Sequence, residues 1–222
     1  MTDLAKTERS RVKRMHERGC YDFDSVAQIL DSGFICHVGY VIDGKPYVTP
    51  TSYWREGDRL YWHGSSASRM LRAAQGESDV CLTVSLIDGL VLARSAFHHS
   101  INYRSVMLFG KALKVDDPDH KLRALESFVE RMYPGRWAAL RPPTEQEVKA
   151  TMVMYMNIDE GSAKLRRGNP VDDDEDYSWP VWAGVVPIRA VAGTPADDGR
   201  LVPGAVGQPA AGGFVHLGLE PN

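Results

Sequence analysis

Residues 34–63, FICHVGYVIDGKPYVTPTSYWREGDRLYWH, decide the fold class. Phe34 to Val41 is rich in apolar and aromatic residues and ends at Asp43-Gly44, a two-residue hairpin signal. Pro46 to Trp54 reads as a second strand, Glu56-Gly57-Asp58 as a second turn, and Arg59 to His63 as a third strand. A doubly wound parallel sheet needs a helix between successive strands, and these three have none.

The flanking sequence completes the pattern. Before the three strands, residues 22–32 form an amphipathic helix: Asp22 or Asp24 caps it, Val26, Ile29 and Leu30 make its apolar stripe, and Gly33 stops it. After them the period changes at Gly64. Ser65 to Gln75 places Met70, Leu71 and Ala74 at helical spacing before Gly76. Strand composition returns over Asp79–Leu86, Leu90–Phe97 and Asn102–Val115, the last with a bend at Gly110. Pro118–Met132 is a helix with Leu122, Leu125, Phe128 and Val129 on one face, Thr144-x-x-Glu147 is a capping box opening another, and Met152–Ile158 is a strand.

Asp172–Asp176 reads as a solvated acidic loop, and Trp179–Ile188 as an edge strand confined by Pro180 and Pro187. The architecture expected is mainly β, an antiparallel barrel with accessory helices. An N-terminal arm occupies residues 1–20, the barrel domain 21–189, and a Gly/Pro/Ala-rich tail 190–222.

The formal net charge of −3 gives no broad cationic field, so nucleic acid is not expected as a partner. No apolar run approaches the ~20 residues of a membrane span. Met1 to Arg18 alternates charges and lacks the apolar stretch of a secretory signal. Cys20, Cys36 and Cys81 are odd in number and scattered, as in a reducing compartment. A cytoplasmic protein without a membrane partner is the expectation.

The chemistry concentrates in Tyr61-Trp62-His63-Gly64-Ser65-Ser66-Ala67-Ser68-Arg69-Met70-Leu71-Arg72. A strand ends, hydroxyl-bearing residues turn the chain, and a helix begins with arginines in its first turns. Helix N-termini present free N–H groups to a phosphate, and Arg69 can grip its oxygens in a bidentate pair. The same pattern also describes a serine cap beside solvent-facing arginines. Nucleotide-binding glycine loops and a Gly-x-Ser-x-Gly elbow are absent. His98 and His99, read on a strand, point to opposite faces and do not share a metal, so no metal site is expected. Arg94 and Arg104 read as strand-surface charges, and Lys164, Arg166 and Arg167 as a solvated basic loop.

Lys45-Pro46-Tyr47-Val48-Thr49-Pro50-Thr51-Ser52-Tyr53, the serine–arginine turn, and Tyr103-Arg104-Ser105-Val106-Met107-Leu108-Phe109-Gly110-Lys111-Ala112 follow one another in a telling order. Over roughly residues 10–188 the chain resembles the pyridoxamine 5′-phosphate oxidase-like FMN-binding split β-barrel proteins, in particular the nitroimidazole-resistance branch. The resemblance implies a homodimer with FMN at the subunit interface. It implies that Pro50, Thr51, Ser52 and Tyr53 line the isoalloxazine, that Trp62 and His63 flank the ribityl chain, and that Ser68 and Arg69 hold the phosphate. Ser105 would meet the flavin, and Trp182 would pack near it.

Met70 replaces a second basic residue, and the C-terminus lacks a Trp-Arg-Leu-x-Pro ending, so vitamin B6 oxidation is not expected. Three activities stay open. The first is an FMN-dependent oxidoreductase acting on a small flat acceptor such as a nitro-aromatic. The second is a flavin carrier, and the third a haem-binding relative using His37, His63, His98 or His99.

Overall fold

The computed structural model describes residues 2–74, 76, 78–207, 209–210, 213–214 and 220–221. Gln75, where the second expected helix ends, and tail positions 208, 211–212, 215–219 and 222 lie outside the described residues. The chain opens with β1 (Gly19–Cys20) and α1 (Phe23–Asp31), then runs through β2 (Ile35–Ile42), β3 (Lys45–Glu56) and β4 (Arg59–Ser65). Asp22 caps α1 by accepting from the Ser25 N–H, and Phe23, Val26, Ile29 and Leu30 face the core. Asp43 and Gly44 both take left-handed φ, 51° and 73°, which matches the turn to the twist of β2 and β3.

There follow α2 (Arg69–Ala73), β5 (Ser78–Leu92), β6 (Ser100–Lys114), α3 (Pro118–Met132), α4 (Glu145–Ala150), β7 (Thr151–Asn157), β8 (Glu160–Arg166) and β9 (Gly184–Pro187). In the tail β10 (Val191–Ala192) pairs in parallel with β11 (Glu220–Pro221). The strand order β5–β2–β3–β4–β7–β6 closes on itself through the β5–β6 ladder, and every pairing in it is antiparallel. β8 adds to β6, β1 to β8 and β9 to β5, so the barrel carries a sheet extension on one side. This is a split β-barrel. β6 gives Tyr103–Phe109 to β8 and only Leu113 and Lys114 to β7, switching partners around Gly110.

The barrel interior holds Val38, Tyr53, Trp62, Leu82, Leu108 and Met154. A second cluster, Trp54, Tyr61, Ala124 and Val153, seals β3, β4 and β7 against α3. Each large side chain buried this way contributes about 1.5–3 kcal/mol.

Five local expectations are corrected. The helix read from Ser65 starts only at Arg69, because β4 continues to Ser65 and pairs it with Thr151. The two strands over 79–97 are one strand, β5, with a bulge between Ile87 and Gly89. Ala93–His99 is therefore a loop with a 3₁₀ turn at Ala96–His98, so His98 and His99 are not strand neighbours on opposite faces. Lys164 and Arg166 lie in β8, not in a solvated loop. Asp172, read as part of a solvated run, has a fully buried carboxylate.

Candidate functional site

The site begins where two strands part. The β3–β4 ladder starts at Tyr53↔Trp62, whereas His63, Gly64 and Ser65 pair only with β7. β3 residues before Tyr53 keep β2 on one side and have no ladder partner on the other. Tyr53 sends its N–H to Phe34 on the β2 side, so by strand alternation the backbone groups of Ser52 and Pro50 face the open edge. Pro46 and Pro50 share that parity, and their missing N–H groups cost no ladder bond there. What remains on the edge is the Ser52 N–H and the Pro50 and Ser52 carbonyls. The Ser52 N–H can donate to one ring carbonyl while a neighbouring carbonyl of the edge accepts from the ring N–H, a two-bond match to one half of the O–N–H–O edge of a flavin or uracil-like ring. Thr51, paired with the buried Cys36, turns its side chain toward the barrel.

At the other lip of the opening, the Ser65–Arg69 turn is tied down by its backbone: Ser66 N–H donates to Ala150 and Ser68 N–H to Ser65. Ser68 stands at the N-cap of α2 yet its hydroxyl makes no capping bond, which leaves it for a ligand. The Arg69 guanidinium lies over the Tyr47 ring, 4.8 Å from its centroid, and Tyr47 stacks on Tyr40. The aromatic pair sets the direction of an otherwise flexible cation.

Three expected contacts are corrected by side-chain direction. Tyr53 is buried and its phenol donates to the Leu30 carbonyl at 2.5 Å, so only its main chain borders the opening. Trp62 points into the barrel core and is fully buried. His63 turns the other way, between Trp54 and Phe128 under α3, and burial pushes its pKa down by disfavouring the charged ring. Trp62 Nε1 and His63 Nδ1 are both buried without a hydrogen-bond partner among the described residues. A buried polar nitrogen left this way costs roughly 1–3 kcal/mol.

Ser105 is not beside Arg69. It lies three strands from β3, roughly 14 Å at the usual inter-strand spacing, but on the same outward face. The register runs Pro50↔His37, His37↔Thr83, Thr83↔Met107 and Met107↔Ser162, one row of outward side chains across five strands. Ser105 faces Ser85 beside that row, and its hydroxyl donates to the Lys164 carbonyl at 3.2 Å. The same face leaves Ile35, Val41, Val48, Ile87 and Met107 between 43 and 66 % exposed.

Trp182 is 63 % exposed and leans on Gly184, where any side chain would overlap its ring. The Leu92↔Gly184 pairing brings this segment to the end of the sheet that carries the 93–99 loop. Sequence reasoning missed what holds that loop. Asp172 accepts from the Arg94 and Ser95 N–H groups and from the Arg94 guanidinium at 3.0–3.3 Å. Burial works to raise this carboxyl, but those bonds outweigh it and hold it below the ordinary range. His99 Nδ1 is 2.9 Å from the Ser95 carbonyl, which turns Nε2 outward.

The family model described as Pyridoxamine 5'-phosphate oxidase matches residues 22–165, from the cap of α1 to the end of β8. The chain belongs to this family. It is 48 % identical to the flavocytochrome Anf3 from Azotobacter vinelandii, with a TM-score of 0.87 over 93 % of this chain and 95 % of that one. It is 36 % identical to an FAD and haem binding protein from Mycobacterium smegmatis, with a TM-score of 0.82 over 86 % and 94 %. A protein from Bacteroides thetaiotaomicron described as a 5-nitroimidazole antibiotic resistance protein shares the fold at 24 % identity, with a TM-score of 0.56 over 66 % and 86 %. No curated protein matches the chain. Among the described residues no helix is long and apolar enough to cross a membrane.

Proposed function

We propose that the protein is an FMN-binding oxidoreductase that works as a homodimer. The observation that carries this reading is the opening between β3 and β4. It presents a donor–acceptor edge at Pro50–Ser52, and an aimed arginine with a free serine hydroxyl stands on its other lip. The isoalloxazine edge fits the first, and the phosphate fits Ser68 and Arg69. FMN is the smallest flavin with both parts. FAD contains the same half, and the relatives described as a flavocytochrome and as an FAD and haem binding protein support a flavin here.

Bound flavin would supply the redox chemistry, while this chain positions it and excludes water. The exposed apolar face around Ile35, Val48 and Met107 supports a second copy as its cover, which would add the partner's Ser105 row to the opening. The visible spectrum of the purified protein and the mass of any released ligand test the binding. Steady oxidation of NAD(P)H, or reduction of a nitro-aromatic by the loaded protein, separates an oxidoreductase from a carrier. Failure to take up either FMN or FAD overturns the reading.

One observation favours a haem in addition. A histidine whose Nδ1 faces a backbone carbonyl and whose Nε2 points out has the arrangement of an iron ligand, and His99 has it. Phe97, Trp179 and Trp182, 95, 66 and 63 % exposed, supply apolar surface in the segments that meet at that end of the sheet. His99→Ala should abolish or shift the Soret band of the haem-loaded protein.

A further inference from the structure

Apart from the β3–β4 opening, a cationic cavity lies under the N-terminal arm. It measures about 370 Å³ and is roofed by residues 9–14, with the outward faces of β5, β6 and β8 as its floor. The arm is built in rather than draped. Leu4 is buried in the barrel core, Ala5 N–H donates to Asp159 at 2.7 Å, and Val12 N–H donates to the Tyr21 hydroxyl at 2.8 Å. Ser10, 3 % exposed, fixes the turn through the Ala5 carbonyl.

The charges around the cavity do not cancel. Two of its cations are matched: Arg9 is held by Glu160 in a two-pronged pair, and Lys13 by Glu8. Arg11 and Arg14 make no ion pair among the described residues, and Lys164 spends one of its three protons on the Arg14 carbonyl. Three positive charges therefore surround a cavity whose lining includes no carboxylate. Its floor offers hydroxyls from Thr83, a member of the cross-strand row leading to Pro50, and from Ser85 and Ser105 beside that row. An enclosed group with two or more negative charges, continuous with something lying on that row, satisfies both features.

We propose that this cavity holds the diphosphate of a dinucleotide. The proposal rests on the flavin reading only for what lies on the row; the anion site stands on the arm alone. Two sources share this chemistry: FAD bound through the partner protomer, and a nicotinamide dinucleotide bound beside the flavin.

ADP is the direct probe, with adenosine as the uncharged control, titrated calorimetrically into the full chain at low ionic strength. ADP is expected to bind at least tenfold more tightly than adenosine, and the Arg11→Gln/Arg14→Gln variant to lose at least tenfold in ADP affinity. Both arginines are exposed, so the variant's thermal transition should match the parent's. ADP binding no better than adenosine, or unchanged by the substitutions, overturns the proposal. If FAD binds more tightly than FMN and the variant closes that gap, the diphosphate is the flavin's own. If NADPH binds the FMN-saturated protein and the variant loses it, the second dinucleotide is the source. ADP binding that depends on the arginines, in a protein that takes up no flavin, upholds the arm site and overturns the flavin reading instead.

Discussion

Arg69 and Tyr47 stand as a stacked pair across the opening of the barrel, guanidinium over ring at 4.8 Å. Tyr47 belongs to the strand that offers its free edge, and Arg69 to the turn on the opposite lip. The pair thus fixes the separation between the ring-binding edge and the phosphate-binding cation.

Arg69→Ala should weaken flavin retention by at least about 1.5 kcal/mol, the lower value for a hydrogen bond to a charged group. That is roughly tenfold in Kd, read by fluorescence titration of the apoprotein. Unchanged affinity would remove the phosphate assignment. Tyr47→Leu keeps the charge but not its aim, and should cost about 0.5–1 kcal/mol, the value of an exposed cation–π contact.

Tyr53→Phe separates stability from binding. It deletes the hydroxyl that reaches Leu30 at the end of α1, and the fold should lose about 0.5–1.5 kcal/mol in urea denaturation. Flavin affinity should not move, because the phenol faces the core and not the opening.

Much of this frame is legible in the sequence because its signals are local. Asp22 capping α1, Asp43-Gly44 turning the first hairpin and the Thr144–Glu147 box each act within four residues. β8 escaped notice because its sequence answers to a distant neighbour. A Cβ at Gly161 would overlap the Met107 carbonyl, so small residues stand where alternating apolar ones would announce a strand. The 93–99 loop has strand-like composition, and only Asp172, 78 residues further on, pulls it out of the sheet. At the opening, the turn that carries Ser68 and Arg69 is legible because Gly64 and the serines mark it locally. The direction of Tyr53, Trp62 and His63 is not, because it depends on where β4 leaves β3.

Acid should loosen the arm before the barrel. The hydrogen bonds from Arg9, with a further one from Thr7, hold the Glu160 carboxyl down at about 2, from an ordinary 4.5. A depressed carboxylate stabilises the fold fully above its unfolded value and loses that contribution as pH falls through the folded one. Protease sensitivity at Arg11–Arg14 should therefore rise between pH 4.5 and about 2. Glu160→Gln should show the raised sensitivity already at neutral pH.

The double variant Ile35→Lys/Met107→Lys places two charges on the exposed apolar face and should sediment as a monomer where the parent sediments as a dimer. A parent chain that is itself monomeric when flavin-loaded rules out the dimer.

The arm's anchors also order events in time. Ala5 bridges to Glu160, Arg9 pairs with that same residue 151 positions away, and Gly19 pairs with Lys164. Glu160 and Lys164 are made long after the arm, so these anchors form only once β8 exists, while the hairpins between the arm and β8 can close before it. The cationic cavity, roofed by the arm, is thus completed only after β8 is in place, which makes ligand capture there a late step in the life of the nascent protein.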